Sequence, residues 1–272
     1  MDKRITLAES AALLPAGDVC LGLGGFTLYR RPMAFALALL AEFARSKPKG
    51  DLTLLTFTAG LESDILVGAG LVSRVRTCYF GLEAFGLAPR FTQAASEGSI
   101  EIMEETEASL ALGLRATLSS VGFMPSHAWR GTDLPKLRPD VREVTDPYTG
   151  ESLTAFPAIH CDLAVIHALQ ADHDGNVDIG ENWGVDRELC YAADRALVTA
   201  EKVVPKLERA HIFGQVVTAV VEAPNGAWPT SCYPSYRLDG EATLEYIDTS
   251  GSDPQLIHRW AARHGVDLPV GG

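Results

Sequence analysis

The sequence is short of the features that would tie it to nucleic acid, to a membrane or to an oxidising compartment. Lysine and arginine number 23 against 35 aspartate and glutamate, a formal charge of −12 over 272 residues. No basic run is longer than a pair such as Arg30-Arg31, so nothing local reverses the repulsion of a phosphate backbone, and nucleic acid is not an expected partner. No window approaches the ~18 continuous apolar residues of a membrane span, and Met1-Asp2-Lys3-Arg4-Ile5 lacks the apolar stretch of a secretory signal. A cytoplasmic protein is expected. The five cysteines, Cys20, Cys78, Cys161, Cys190 and Cys232, are odd in number and form no C-x-x-C pair, which fits reduced core thiols and excludes a zinc-ribbon or disulfide framework. No G-x-S-x-G elbow or H-E-x-x-H helix occurs, so ordinary serine hydrolases and zinc proteases fall away and no metal is expected.

What remains is a globular composition, 47% apolar and 21% charged, with 25 Gly and 15 Pro spread as punctuation rather than gathered in a linker. One domain over residues 1–272 is the expected organisation, a size that single α/β domains commonly reach. Buried strands are read at 18–23, 52–57, 72–80, 100–103, 163–168, 196–200 and 216–221. Helical segments are read at 32–43, with Pro32 in its first turn, and at 62–68, 107–120 and 187–195. Strand and helix in this rhythm predict an open, mainly parallel twisted α/β sheet with helices on both faces.

Ligands of open α/β sheets bind beyond the carboxyl ends of the strands, so the turn after the first strand is the first candidate. Gly24 and Gly25 leave backbone amides bare for an anion or oxyanion, and the following helix N-terminus favours negative charge. A dinucleotide fingerprint fails on spacing, because Thr27 stands where Gly22 and Gly24 would require glycine or alanine, and no Gly-Lys-Ser/Thr makes a P-loop. Arg31, held extended by Pro32, or its neighbour Arg30 could fork a carboxylate across the turn.

A second candidate is Glu104-Glu105-Thr106-Glu107. Thr106 and Glu107 suit a helix N-cap and first turn, while period two places Glu104 on the side of Ile100 and Ile102, with Glu101 and Glu105 on the other. The Asp172, Asp174, Asn176 alternation is not a calcium loop, since Val177 and Trp183 stand where glycine and glutamate are needed, and Asp174-Gly175 reads as a tight turn. His167, within an apolar run, reads as a hydrogen-bonded core histidine.

The stretch Gly24-Gly25-Phe26-Thr27-Leu28-Tyr29-Arg30-Arg31-Pro32-Met33-Ala34 resembles the N-terminal motif of the α (A) subunits of class I CoA-transferases of the glutaconate type. Gly122-Phe123-Met124-Pro125, Gly131-Thr132-Asp133-Leu134, 162–168 with Asp172, Gly175 and Asn176, and 192–204 fit in family order, covering about residues 12 to 225. The resemblance implies a NagB/RpiA/CoA-transferase-like fold and a β-subunit partner in a heterodimer or heterotetramer. It implies an acyl-CoA and a carboxylic acid as substrates, and no tightly bound cofactor. A glutamate of the β subunit would carry the glutamyl-CoA thioester, and Gly24, Gly25 and Phe26 would line the acyl pocket, while Arg30 or Arg31 suits a substrate carboxylate by charge. The chain also resembles the α subunit of the steroid ring-opening hydrolase on the same scaffold, whose active-site carboxylate falls at Glu104 to Glu107, with Glu107 the preferred match. A non-catalytic binding domain on the same open sheet is the third reading.

Overall fold

Runs that are apolar on both faces become strands of one sheet in the computed structural model, which describes residues 2–46 and 51–269. The strands are β1 (Val19–Leu23), β2 (Leu52–Ala59), β3 (Arg74–Phe80), β4 (Glu101–Glu104), β5 (Phe123–Ser126), β6 (Arg142–Thr145), β7 (Ser152–Pro157), β8 (Cys161–Asp172), β9 (Val177–Asp178), β10 (Ala193–Val204) and β11 (Ala219–Glu222). The α-helices are α1 (Leu7–Ser10), α2 (Met33–Arg45), α3 (Leu61–Gly68), α4 (Pro89–Glu97), α5 (Glu107–Leu118), α6 (Leu134–Leu137), α7 (Asp186–Ala192), α8 (Gly240–Asp248) and α9 (Pro254–Arg263). The large sheet has the order β11-β10-β8-β1-β2-β3-β4, parallel throughout, with β9 antiparallel to β8.

A parallel sheet must be covered on both faces, and alternate residues divide accordingly. Leu163 and Val165 join Leu21, Leu23, Phe35 and Leu39 in one core cluster; Ala164 and Ile166 join Leu110, Leu114 and Leu189 in another. Helix α2 is itself a core element, with eight buried residues, because Met33 and Leu37 are covered in turn by Tyr246, Leu256 and Trp260 of the C-terminal helices. Pro32 stands just before the helix rather than within its first turn.

Two boundaries differ from the sequence reading. Helix α7 stops at Ala192 because Ala193 turns extended and pairs with Cys161 of β8. The strand expected from Val216 begins at Ala219, since the Val216 and Val217 amides close turns onto Phe213 and Gly214. The small antiparallel sheet β5-β7-β6 was not anticipated. It is tied to the start of α5 by Trp129 Nε1, which donates to Thr106 Oγ1 at 2.9 Å, and by Arg138.

The chain leaves β1 to build β2, β3 and β4 on one side, then returns to build β8, β10 and β11 on the other. The strand order therefore reverses between β1 and β8, the place where an open sheet forms its crevice.

Candidate active site

Residues 24–31 turn directly out of β1 at this reversal. Three of them, Gly25 (φ 91°), Thr27 (φ 52°) and Arg30 (φ 52°), lie in the left-handed region, a concentration of backbone strain of the kind held at functional sites. A side chain at Gly25 would put its Cβ 2.7 Å from the Arg30 carbonyl oxygen. The amides that sequence reading offered to a ligand are engaged within the chain. Gly24 donates to Val165 O (2.9 Å), Gly25 to Asp186 Oδ1 (2.8 Å) and Phe26 to Tyr29 O (2.9 Å). Burial explains this, because an enclosed N–H left without an acceptor costs about 1–3 kcal/mol.

Arg30 and Arg31 depart further from expectation. Both are fully buried, and neither guanidinium reaches across the turn to open space. Arg30 pairs with Asp186 Oδ2 at 2.9 Å and donates to the carbonyls of His167 (2.8 Å) and Asn182 (2.6 Å). Arg31 pairs with Glu62 and donates to Thr58 O at 2.6 Å. Their charges are neutralised inside the fold, so they hold the loop between α3 and α7 rather than presenting a fork.

Past the strand ends, the register aligns one row of side chains on the α5–α7 face. Leu23 pairs Val165 and Thr56, Thr56 pairs Thr77, and Thr77 pairs Glu104; one residue further, Ile166, Gly24, Phe57, Cys78 and Glu105 stand side by side. Ile166 is fully buried, whereas Phe57 and Cys78 are partly exposed, and the Phe26 ring lies 6.2 Å from that of Phe57. Burial, with Glu105 and Glu107 nearby, pushes the Cys78 thiol up to about 12, so it is a neutral wall and not a nucleophile.

Glu104, expected inward, is exposed. Ile100 is buried, but Ile102 on the outermost strand is 45% exposed, so the face they share is uncovered at this end. Glu105, expected outward, is the buried one: it accepts from Arg76 Nε (2.7 Å), Arg138 NH1 (2.8 Å) and the Ser109 hydroxyl. Glu107 is exposed in the first turn of α5, just after the Thr106 cap.

On the other side of the loop, His167 of β8 is fully buried, as a core histidine should be. Its Nε2 lies 2.7 Å from Glu201 Oε1 and its Nδ1 2.8 Å from Thr199 Oγ1. Glu201 also accepts from the Tyr236 hydroxyl (2.6 Å) and the Asn225 amide (2.7 Å). Burial alone would raise the Glu201 carboxyl, but His167 and these other donors outweigh it and hold it below the usual range. Burial lowers His167, only partly offset by Glu201. The imidazole is thus neutral at pH 7, with Nε2–H donating to the carboxylate. His167, Glu201 and Cys232 place donor atoms within 4.8 Å of one another and are the described residues that could hold a metal ion, although the His–Glu and Tyr–Glu bonds already use the lone pairs an ion would need.

A family description, coenzyme A transferase, matches residues 4–223. The chain belongs to that family. It is 31% identical to the A subunit of the 3-oxoadipate CoA-transferase of Pseudomonas knackmussii, covering 96% of this chain and 92% of that one. It is 32% identical to the cholesterol ring-cleaving hydrolase IpdA subunit of Rhodococcus jostii, covering 97% and 92%. Among solved structures, a variant of the decarboxylase AibA/AibB superposes with a TM-score of 0.88 at 30% identity, over 97% of this chain and all of that one. Glutaconate coenzyme A-transferase of Acidaminococcus fermentans superposes with a TM-score of 0.85 at 26% identity, over 98% and 90%. The fold is therefore the mainly parallel α/β sheet of the coenzyme A transferases.

Within this coenzyme A transferase chain, Gly24, Gly25 and Phe26 sit together at the strand-order reversal, with Arg30 and Arg31 sealed beneath them. Glu104 and Glu107 stand apart from that loop, at the β4–α5 end of the row. Sequence reading missed Asp186, Glu62 and Glu201, because each acquires its role only from a partner 31 to 156 residues away in the chain.

Proposed function

We propose that this chain is the α subunit of a heteromeric, cytoplasmic class I CoA-transferase that moves CoA between carboxylic acids, its site completed by a β subunit. The observation that carries the reading is the state of its own carboxylates: Glu62, Asp186 and Glu201 surround the loop, and each is held by a buried cation or by several donors. A nucleophilic glutamate has to face the thioester unpaired, so the nucleophile comes from the partner, a division of labour supported by two relatives that are each named as one of the unlike subunits of a CoA-transferase. The bare surface over Gly24 and Gly25, flanked by Phe26, receives the acyl thioester.

The purified chain alone is expected to exchange no CoA between an acyl-CoA and a free acid. Activity is expected on adding the β subunit, and borohydride treatment in the presence of acyl-CoA should leave the reduced glutamyl residue in that subunit. Full activity without a partner, or reduction within this chain, overturns the assignment.

A second reading, C–C bond hydrolysis of an acyl-CoA, is favoured by the exposure of Glu107 at the end of the half-open row and by the ring-cleaving hydrolase relative. Glu107→Gln then lowers turnover by about 10²- to 10⁴-fold, the range for a general acid or base. Under the transferase reading its effect on CoA exchange stays within a few-fold, because Thr106 keeps the helix capped.

A further inference from the structure

The row of side chains at the strand ends is closed on one side of Gly24 and open on the other. Towards β8, Ile166 and Val198 are fully buried, and the Asp186 carboxylate fills the space a Gly24 side chain would take, 2.6 Å from that Cβ position. Towards β4, Phe57 and Cys78 are partly exposed and Phe26 flanks them. A group carried on a thioester at the loop therefore has apolar surface in one direction only. That surface is two strand spacings long, about 10 Å, the reach of a few carbons.

Its far end is formed by charges already in balance. Arg76 and Arg138 are matched by Glu105 and Asp140, and the salt bridges run at 2.7 to 2.8 Å. Glu107, exposed beside them, adds an unbalanced negative charge. The two guanidiniums under the loop are sealed by Asp186 and Glu62. Arg187 stands on the opposite side, its guanidinium 5.2 Å from the Trp183 ring, which packs on His211 beside β9. A second carboxylate at the tip of the acyl chain would meet Glu107 without a free cation opposite it.

We propose that the acyl group bound along Phe26, Phe57 and Cys78 is short and uncharged, a monocarboxylic acyl chain rather than a dicarboxylic one. This rests on the reading of the chain as an acyl-CoA enzyme, and it parts from the dicarboxylic names of two relatives, 3-oxoadipate and glutaconate. Phe57 and Cys78 then determine specificity by shape.

The test is equilibrium binding to the complex of this chain with its β subunit, measured by calorimetry with butyryl-CoA and glutaryl-CoA. Binding reads the acyl class whatever reaction follows, whereas CoA exchange reads the reaction, so the two claims fail separately. Butyryl-CoA is expected to bind at least about tenfold more tightly, and Phe57→Ala to shift preference towards octanoyl-CoA. Cys78→Lys, which places a cation on the row, is expected to narrow the butyryl-to-glutaryl ratio. Equal affinities, tighter glutaryl-CoA or binding of neither ester by the wild-type complex overturns the proposal.

Discussion

Asp186→Ala is expected to destabilise the fold by about 3–5 kcal/mol, the range for removing one partner of a buried ion pair. Arg30 is fully buried and Asp186 is 1% exposed, so the guanidinium left behind keeps two carbonyl acceptors but no counter-charge. The Gly25 amide loses its acceptor at the same time. Asp186→Asn retains an oxygen for Gly25 and loses only the charge, so it should fall between wild type and Ala. Urea unfolding of the three proteins measures this ladder. Activity with the β subunit should fall with it, because the loop bearing Gly24 and Phe26 rests on Asp186. A solvent-exposed pair, Lys136 with Asp133, supplies the contrast: its removal should leave the midpoint almost unchanged. A loss in Asp186→Ala no greater than in that control shows that the buried pair does not hold the loop.

How much of this was legible depends on how far each residue's reason lies from it in the chain. The parallel sheet could be read because β1, β2 and β8 are apolar on both faces and tolerate no other environment. The location of the site followed, since the turn after the first strand lies beside the reversal in strand order. The function of its glycines did not. Gly22 and Gly24 look like a ligand-cradling pair, yet a Cβ at Gly22 would stand 2.8 Å from Leu189 and one at Gly24 2.6 Å from Asp186. Those two residues are one turn apart on α7, so the spacing serves the approach of a helix encoded far later in the chain. The arginines misled for the same reason, because a charged pair after a glycine turn gives no sign of acids arriving from α3 and α7. At β4 the alternation was right, but an edge strand has one neighbour, and nothing local says which face stays covered. The bond from Trp129 to Thr106 and those from Arg138 to Glu105 cover it from the unforeseen antiparallel sheet.

The pH dependence of stability follows from two imidazoles that folding keeps neutral. Burial lowers His264 to about 4 from an ordinary value of 6.5, against the opposing pull of the Trp228 carbonyl 3.2 Å from its Nε2. His167 is also lowered by burial, with Glu201 pulling the other way and Arg30 adding to the loss. The unfolded chain takes up these protons near pH 6.5 and the folded chain resists them, so the stabilisation is complete above pH 6.5 and drains away as the pH falls towards 4. At 1.36 kcal/mol per pKa unit, His264 alone should cost the fold about 2 kcal/mol between pH 6.5 and pH 5. Glu201, held below 4.5, extends the decline to more acid conditions, since its stabilisation is present above the ordinary carboxylate value and is lost as the pH falls through the folded one. Urea midpoints at pH 7.5, 6 and 5 should therefore fall in order, with the steepest part below 6.5. His264→Gln removes the larger titration while leaving a donor for the Trp228 carbonyl, and should flatten that slope. Midpoints that stay level from pH 7.5 to pH 5 in the wild type mean that the imidazoles protonate as readily folded as unfolded, which their burial between α9, β8 and β10 forbids.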